Sequence, residues 1–214
     1  MNISEILLLG PVMPVIVIDD ADLAVPLGEA LLSGGINAIE VTLRTDAALY
    51  SIERLAKELP EICVGAGTIL TEINAHSAAN AGARFAVSPG TTRLIIDACK
   101  AHNLPLLPGA STVSEMLTLH EAGFTAMKFF PAAAAGGAQF IKSLASPLPH
   151  LQFCPTGGIT YDTASSWLAL ANVPCVGGSW LAPAHDINQQ NFSMITERAK
   201  QASTLERPLD ATHQ

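Results

Sequence analysis

The sequence predicts an α/β protein, a (β/α)8 TIM barrel with an extra N-terminal helix. Three observations predict it. Eight short apolar runs recur about one βα unit apart, amphipathic stretches of helical period lie between them, and 214 residues suit one compact barrel. Strict alternation of strand and helix implies a parallel sheet covered by helices. The competing architecture is a doubly wound open sheet. It would need a Gly-rich phosphate turn after the first strand, and Ile18-Asp19-Asp20-Ala21 supplies none. A single domain over residues 1–214 is expected, with residues 207–214 a frayed tail.

The first ten residues read as the extra helix, lying under the barrel. The predicted strands then run Val15–Ile18, Ala38–Leu43, Ile62–Ala66, Phe85–Val87, Leu104–Leu107, Ala126–Phe130, Gln152–Cys154 and Cys175–Gly177. The clearest helix patterns are Asp46–Leu59, Thr71–Ala81, Thr92–Ala101, Thr112–Ala122 and Tyr161–Ala171. Asp46, Thr71, Thr112 and Thr160 read as capping residues for four of these helices.

Composition narrows the function classes. Hydrophobic residues make up 49% of the chain and charged residues 14%, so much of it must be buried. The formal net charge of −8 argues against nonspecific nucleic-acid binding, which needs a basic surface. It leaves room for a small anionic ligand held by an arginine and backbone N–H groups. The four cysteines (Cys63, Cys99, Cys154, Cys175) have no C-x-x-C spacing and read as reduced, buried thiols. The six histidines lack metal-binding spacing, so no protein-built metal site is expected. The start lacks a basic n-region and no apolar run approaches the ~20 residues that span a bilayer. A cytoplasmic protein without membrane contact is expected.

Lys128 is the residue that carries most information about chemistry. It is one of five lysines, and the other four lie in amphipathic helix patterns where a solvated ammonium is ordinary. Lys128 instead sits in the apolar strand Ala126-Met127-Lys128-Phe129-Phe130, stopped by Pro131. A buried ammonium costs several kcal/mol unless paired or neutral, and such a lysine can attack a carbonyl to form a Schiff base. The alternative is an edge-strand lysine pointing at water. Met127, Phe129 and Phe130 are expected to strip the amine of water.

In a barrel the chemistry gathers at the carboxyl ends of the strands. Glu40, Thr42 and Arg44 fall two apart and share one strand face, reading as a proton-transfer carboxylate beside a carboxylate-binding arginine. An internal Glu40–Arg44 salt bridge is the competing reading. Gly65-Ala66-Gly67-Thr68 leaves room for a bulky group, while Ser88-Pro89-Gly90 and Pro108-Gly109-Ala110-Ser111 are weaker turn signals. Thr156-Gly157-Gly158-Ile159-Thr160 and Gly177-Gly178-Ser179-Trp180 follow the seventh and eighth strands, where these barrels commonly bind phosphate. Two ordinary left-handed turns would explain them otherwise.

Taken in order, these segments resemble the Schiff-base (class I) 2-keto-3-deoxy-6-phosphogluconate aldolases, which also handle 4-hydroxy-2-oxoglutarate. The resemblance rests on Pro14-Val15-Ile16-Val17, Glu40-Val41-Thr42-Leu43-Arg44-Thr45, Val64-Gly65-Ala66-Gly67-Thr68 and Phe85-Ala86-Val87-Ser88-Pro89-Gly90. It continues through Pro108-Gly109-Ala110-Ser111-Thr112, Lys128-Phe129-Phe130-Pro131-Ala132, Phe153-Cys154-Pro155-Thr156-Gly157-Gly158-Ile159 and Gly177-Gly178-Ser179-Trp180. These run from about residue 12 to about residue 185.

The resemblance implies that Lys128 forms the carbinolamine and imine with the keto carbon and that Glu40 is the general acid/base. Arg44 and Thr68 would hold the pyruvate carboxylate, and Pro89 would wall the pyruvyl methyl. Thr156 would line the pocket, and Gly157, Gly158, Gly178 and Ser179 would contact the substrate phosphate. It further implies a homotrimer, a small phosphorylated keto-acid substrate, and no cofactor or metal. One departure stands out: Ala133-Ala134-Ala135 precedes Gly136-Gly137 where the family usually carries a polar pair. Three other readings stay open: an aldolase for the galactonate epimer, a phosphate-binding isomerase or epimerase barrel without imine chemistry, and a non-catalytic ligand sensor.

Overall fold

The computed structural model describes residues 1–207, so the sequence-predicted tail falls outside it from residue 208 onward. Arg207, the last described residue, donates from Nη1 to the carbonyl of Pro174.

The described chain begins with α1 (Ile3–Leu7), capped by Asn2, whose side chain accepts from the Glu5 amide. Then strand and helix alternate: β1 (Val12–Ile16), α2 (Ala24–Ser33), β2 (Ala38–Thr42), α3 (Ala48–Glu58), β3 (Cys63–Gly67) and α4 (Glu72–Asn80). They continue as β4 (Phe85–Val87), α5 (Arg93–Ala101), β5 (Leu106–Leu107), β6 (Gly109–Ala110), α6 (Val113–Glu121) and β7 (Ala126–Phe129). The chain closes with α7 (Gly137–Leu144), β8 (Gln152–Pro155), α8 (Tyr161–Leu168), β9 (Val176–Gly178), α9 (Ala184–Asn188) and α10 (Phe192–Ser203).

Every strand pairing is parallel. Six strands form one sheet in the order β5-β4-β3-β2-β1-β9, and three form a second in the order β6-β7-β8. The edges of the two sheets meet at two places. Only Pro108, which has no N–H for a ladder, separates β5 from β6, and a single bridge joins Thr156, just past β8, to Gly177 of β9.

Side-chain alternation sorts each strand into two faces. Ile39, Val41, Val64, Ala66, Ala86, Met127, Phe129, Phe153 and Val176 join the large cluster shared with the helices. Met13, Ala38, Cys63, Phe85, Val87, Leu107, Ala126, Cys154 and Cys175, drawn from both sheets, form a second cluster with Ile6 and Leu7 of α1. Thus α1 packs against the amino-terminal half of the inner face, which leaves the carboxyl ends of the strands for polar groups.

Several local expectations change. The first strand begins at Val12 rather than Val15. Its residues 12–14 pair with β9 and 15–16 with β2, so Pro14 sits where the pairing changes sides. The predicted fifth strand, Leu104–Leu107, shortens to Leu106–Leu107, and a further short strand, β6, follows Pro108. Asp46 caps nothing: α3 starts after Ala47, which makes no side-chain cap bond, while the Ala48 amide bonds the Thr45 carbonyl. Thr71, Thr92 and Thr112 do accept from the backbone three residues on, and Thr160 closes a capping box with Thr163. The last predicted helix, expected to reach Ala171, stops at Leu168.

All four cysteines are free and buried. Burial raises the thiols of Cys63 and Cys99, the latter to about 11. A hydrogen bond with the Cys154 thiol and burial raise that of Cys175. Since the thiolate is the reactive form, a thiol-titrating disulfide reagent at pH 8 is expected to label none of the four in the folded protein. All four should react after unfolding.

Candidate active site

The site is built around one ion pair. Lys128, on the inner face of β7, donates from Nζ to Glu40 Oε1 at 3.1 Å and Oε2 at 3.4 Å. Lys128 is 5% exposed and Glu40 3%. The two residues lie on different sheets, so the contact bridges them. The edge-strand reading is therefore excluded, and so is a Glu40–Arg44 salt bridge as the carboxylate's chief partner. Well-packed apolar residues in place of a buried ion pair are often as stable or more so. Stability alone gives no reason to keep this pair.

The surroundings of the amine differ from expectation in one respect. Met127 and Phe129 point away from it, because alternate residues of a strand face opposite sides. Phe129 stacks on Phe140 at 5.3 Å between centroids. Phe130 does reach the site, with its ring centroid 5.4 Å from Lys128 Nζ, a cation–π separation.

Glycines make the space. A Cβ at Gly67 would lie 2.1 Å from Glu40 Oε1 and 2.5 Å from its Cγ. A Cβ at Gly177 would lie 2.2 Å from Thr156 Oγ1. Gly67 lies directly across from Thr42 in the β2–β3 register, so the bare backbone of β3 lets the carboxylate lean toward Lys128. Gly67→Ala is expected to displace Glu40 and lower kcat by about 10²-fold, the cost typical of a 1 Å misplacement. Circular dichroism should remain that of the parent, and steady-state kinetics would check the loss.

The remaining sequence-predicted residues lie at or just past the carboxyl ends of strands. Arg44 lies in the turn after β2, exposed, with Nε donating to Thr42 Oγ1 at 3.0 Å. Thr42 in turn donates to the Ile16 carbonyl. Thr68 follows β3 with φ +61, a left-handed conformation that a β-branched residue rarely adopts. Such strain costs on the order of 1–3 kcal/mol and collects at functional sites. Pro89 follows β4. The preceding Ser88, fully buried, bonds Thr91 Oγ1 and accepts from the Gly109 amide, tying this turn to β6.

Thr156 is buried beyond β8. Gly157 and Gly158 both have positive φ, +102 and +77, so this loop requires glycine. The amides of Ala132 and Ala133 donate to the carbonyls of Thr156 and Gly157, which clips the loop after β7 to the loop after β8. The Ala133 methyl lies where a Gly158 side chain would go. Gly178 ends β9, roofed by the Trp180 ring, and Ser179 beside it is exposed.

Sequence reasoning missed the Ser88–Thr91–Gly109 clip and the Trp180 roof. The Ser88-Pro89-Gly90 turn was the one available signal for the first. Among the described residues no group of three or more His, Cys, Asp or Glu side chains is placed to hold a metal ion, and no helix is long and apolar enough to cross a membrane.

Comparison with known proteins completes the assignment. The family model for KDPG and KHG aldolase matches residues 3–198. The chain belongs to the KDPG and KHG aldolase family. It is accordingly a class I aldolase, a carbon–carbon lyase. It is 47% identical over 193 residues to the 2-dehydro-3-deoxy-phosphogluconate aldolase of Pseudoalteromonas atlantica, covering 90% of each chain. It is 45% identical over 199 residues to the KHG/KDPG aldolase of Escherichia coli strain K12, covering 93% of each. A crystal structure of the KDPG aldolase from Legionella pneumophila, with pyruvate captured at low pH as a covalent carbinolamine intermediate, superposes with a TM-score of 0.93. That protein is 44% identical, and the match covers 95% of this chain and 99% of that one.

Proposed function

We propose that this KDPG/KHG aldolase family member cleaves 2-keto-3-deoxy-6-phosphogluconate to pyruvate and glyceraldehyde 3-phosphate through an imine on Lys128. We infer the same chemistry on 4-hydroxy-2-oxoglutarate, giving pyruvate and glyoxylate. The observation that carries the reading is the buried Lys128 amine held 3.1 Å from the Glu40 carboxylate.

The steps follow from that geometry. The neutral amine attacks the C2 ketone, and loss of water from the carbinolamine leaves a protonated imine. Glu40, within hydrogen-bond reach of Nζ, carries protons between these species, directly or through water. A base takes the C4 hydroxyl proton, the C3–C4 bond breaks, and its electron pair flows into the imine as an enamine. Glyceraldehyde 3-phosphate leaves. C3 of the enamine takes a proton, and water hydrolyses the imine to free pyruvate and the amine. Dividing the reaction this way replaces one hard step with several easier ones.

Binding roles follow the strand ends. Arg44 and Thr68 hold the keto-acid carboxylate, Pro89 walls the methyl group, and Thr156 lines the pocket. Gly157, Gly158, Gly178 and Ser179 receive the phosphate. The two adjacent glycines support this last role, because they carry no side chain to keep an anion from their N–H groups.

The finer architecture belongs to the same reading. The two sheets close as one (β/α)8 barrel with α1 across its amino end. The Thr156–Gly177 bridge and the Glu40–Lys128 contact support closure. The working assembly is a homotrimer. Its support is the set of large apolar side chains exposed on and beside consecutive helices: Tyr50 of α3, Leu70 just before α4, Ile73 of α4 and Leu94 of α5.

Pyruvate release from the phosphorylated gluconate and galactonate epimers tests the substrate. The proposal expects a higher kcat/KM for the gluconate epimer, with activity intact in EDTA. Turnover without pyruvate release would favour an isomerase.

A further inference from the structure

We propose that Thr42 is a positioning residue that presets the Arg44 guanidinium for the keto-acid carboxylate; this rests on the carboxylate-holding role given to Arg44 above. Thr42 is the last residue of β2, and its side chain is shared between two partners. Oγ1 donates to the Ile16 carbonyl at 2.7 Å, and Arg44 Nε donates to the same Oγ1 at 3.0 Å. Thr42 is 1% exposed, so bulk water does not compete for either bond.

The polarity of this relay has one solution. A hydroxyl carries a single proton. The Ile16 carbonyl can only accept and the Arg44 Nε–H can only donate, so Oγ1 gives its proton to the first and accepts from the second. With that proton committed and the side chain buried, Thr42 reaches the substrate carboxylate through Arg44 rather than by touching it.

The bond also decides which edge of Arg44 is left for a ligand. A guanidinium offers a side edge, Nε with one Nη, and an end edge, Nη1 with Nη2. With Nε taken, the end edge remains, and its parallel N–H groups match the two oxygens of a carboxylate. Among the described residues Arg54, Arg93 and Arg198 are paired with carboxylates, whereas Arg44 has no acidic partner and is exposed.

The backbone at Arg44 is held by other groups. The Leu43 amide donates to the Gly67 carbonyl at 2.9 Å, and the Arg44 amide to the Thr42 carbonyl at 2.8 Å. Thr45 Oγ1 donates to the Ile18 carbonyl at 2.5 Å. What is left to the Thr42 hydroxyl on this side is the orientation of the arginine side chain. A long cation loses rotamer freedom when a ligand first orders it, so holding it beforehand strengthens binding.

Kinetics in the condensation direction test the proposal, because pyruvate carries the carboxylate and glyceraldehyde 3-phosphate carries none. Thr42→Val removes the hydroxyl at nearly constant volume, and Thr42→Ala removes it and leaves room. Each is expected to raise KM for pyruvate about 10-fold, the scale of a hydrogen bond to a charged group, with kcat and KM for glyceraldehyde 3-phosphate within about twofold of the parent. Thr42→Ser keeps both bonds and should restore the parent KM for pyruvate. Arg44→Ala should raise that KM further, and adding Thr42→Val to it should change nothing more. A rise in Arg44→Ala with none in Thr42→Val or Thr42→Ala would overturn the positioning role and leave the reading of Arg44 standing. No rise in Arg44→Ala would overturn both. Losses that add in the double variant, or that reach both KM values alike, would make Thr42 a merely structural residue and overturn the proposal.

Discussion

Lys128→Arg will abolish turnover while leaving the protein folded. Arginine keeps the positive charge beside Glu40 and can share both carboxylate oxygens, which now lie 3.1 and 3.4 Å from Nζ. A guanidinium is not deprotonated in proteins, so it cannot attack a ketone. The expected loss in kcat is about 10⁴-fold or more, the scale seen when a covalent nucleophile is removed. The contrast with Lys128→Met is informative. Methionine leaves the buried Glu40 carboxylate unpaired, which costs about 3–5 kcal/mol of stability. Adding Glu40→Leu should restore most of that stability and none of the activity. Denaturant melts paired with pyruvate-release assays would separate the two effects. A pair retained for stability would instead lose as much in the double variant as in the single one.

Glu40→Gln gives the second large effect. Glutamine has nearly the same shape and still fits the space left by Gly67, but it cannot take up and return protons. A positioned acid/base contributes about 10²–10⁴-fold, and a fall in kcat of that size is expected, with KM changed far less. Lys128 should still form the covalent adduct, only more slowly, because its amine remains in place. Stopped-flow measurement of imine formation would resolve this. A variant with normal kcat would transfer the proton-carrying role to another group or to water alone.

The sequence made the buried Lys128–Glu40 pair legible because burial and charge conflict there. A lysine in an apolar strand needs a partner, and Glu40 was a charged residue in an equally apolar run. The alternation of strands and helices was legible from local pattern, short apolar runs between stretches of helical period, and threonines at positions 71 and 112 cap as expected. The family resemblance brought the strand-end residues together in one reading, and the structure puts them at or just past the carboxyl ends of their strands.

What stayed hidden depends on distance in sequence. The first strand was expected to begin at Val15, yet β1 passes through Pro14 because its pairing shifts from β9 to β2 at that point. Asp46 looked like a cap, but the turn after Thr42 sets the start of α3 one residue later. The composition of Gly67 gave room without saying for what. Only the register of β2 on β3 gives that room to Glu40. The facing of Met127 and Phe129 away from the amine was available from alternation alone and was overlooked.

The account stands on a covalent bond between Lys128 and a keto acid. The most direct measurement is incubation with pyruvate and sodium borohydride, followed by intact mass and peptide mapping. One reduced pyruvyl group per chain on Lys128, absent in Lys128→Arg and accompanied by loss of activity, is the predicted result. Unmodified protein that stays active, or an adduct mapped to Lys57, Lys100, Lys142 or Lys200, would contradict it.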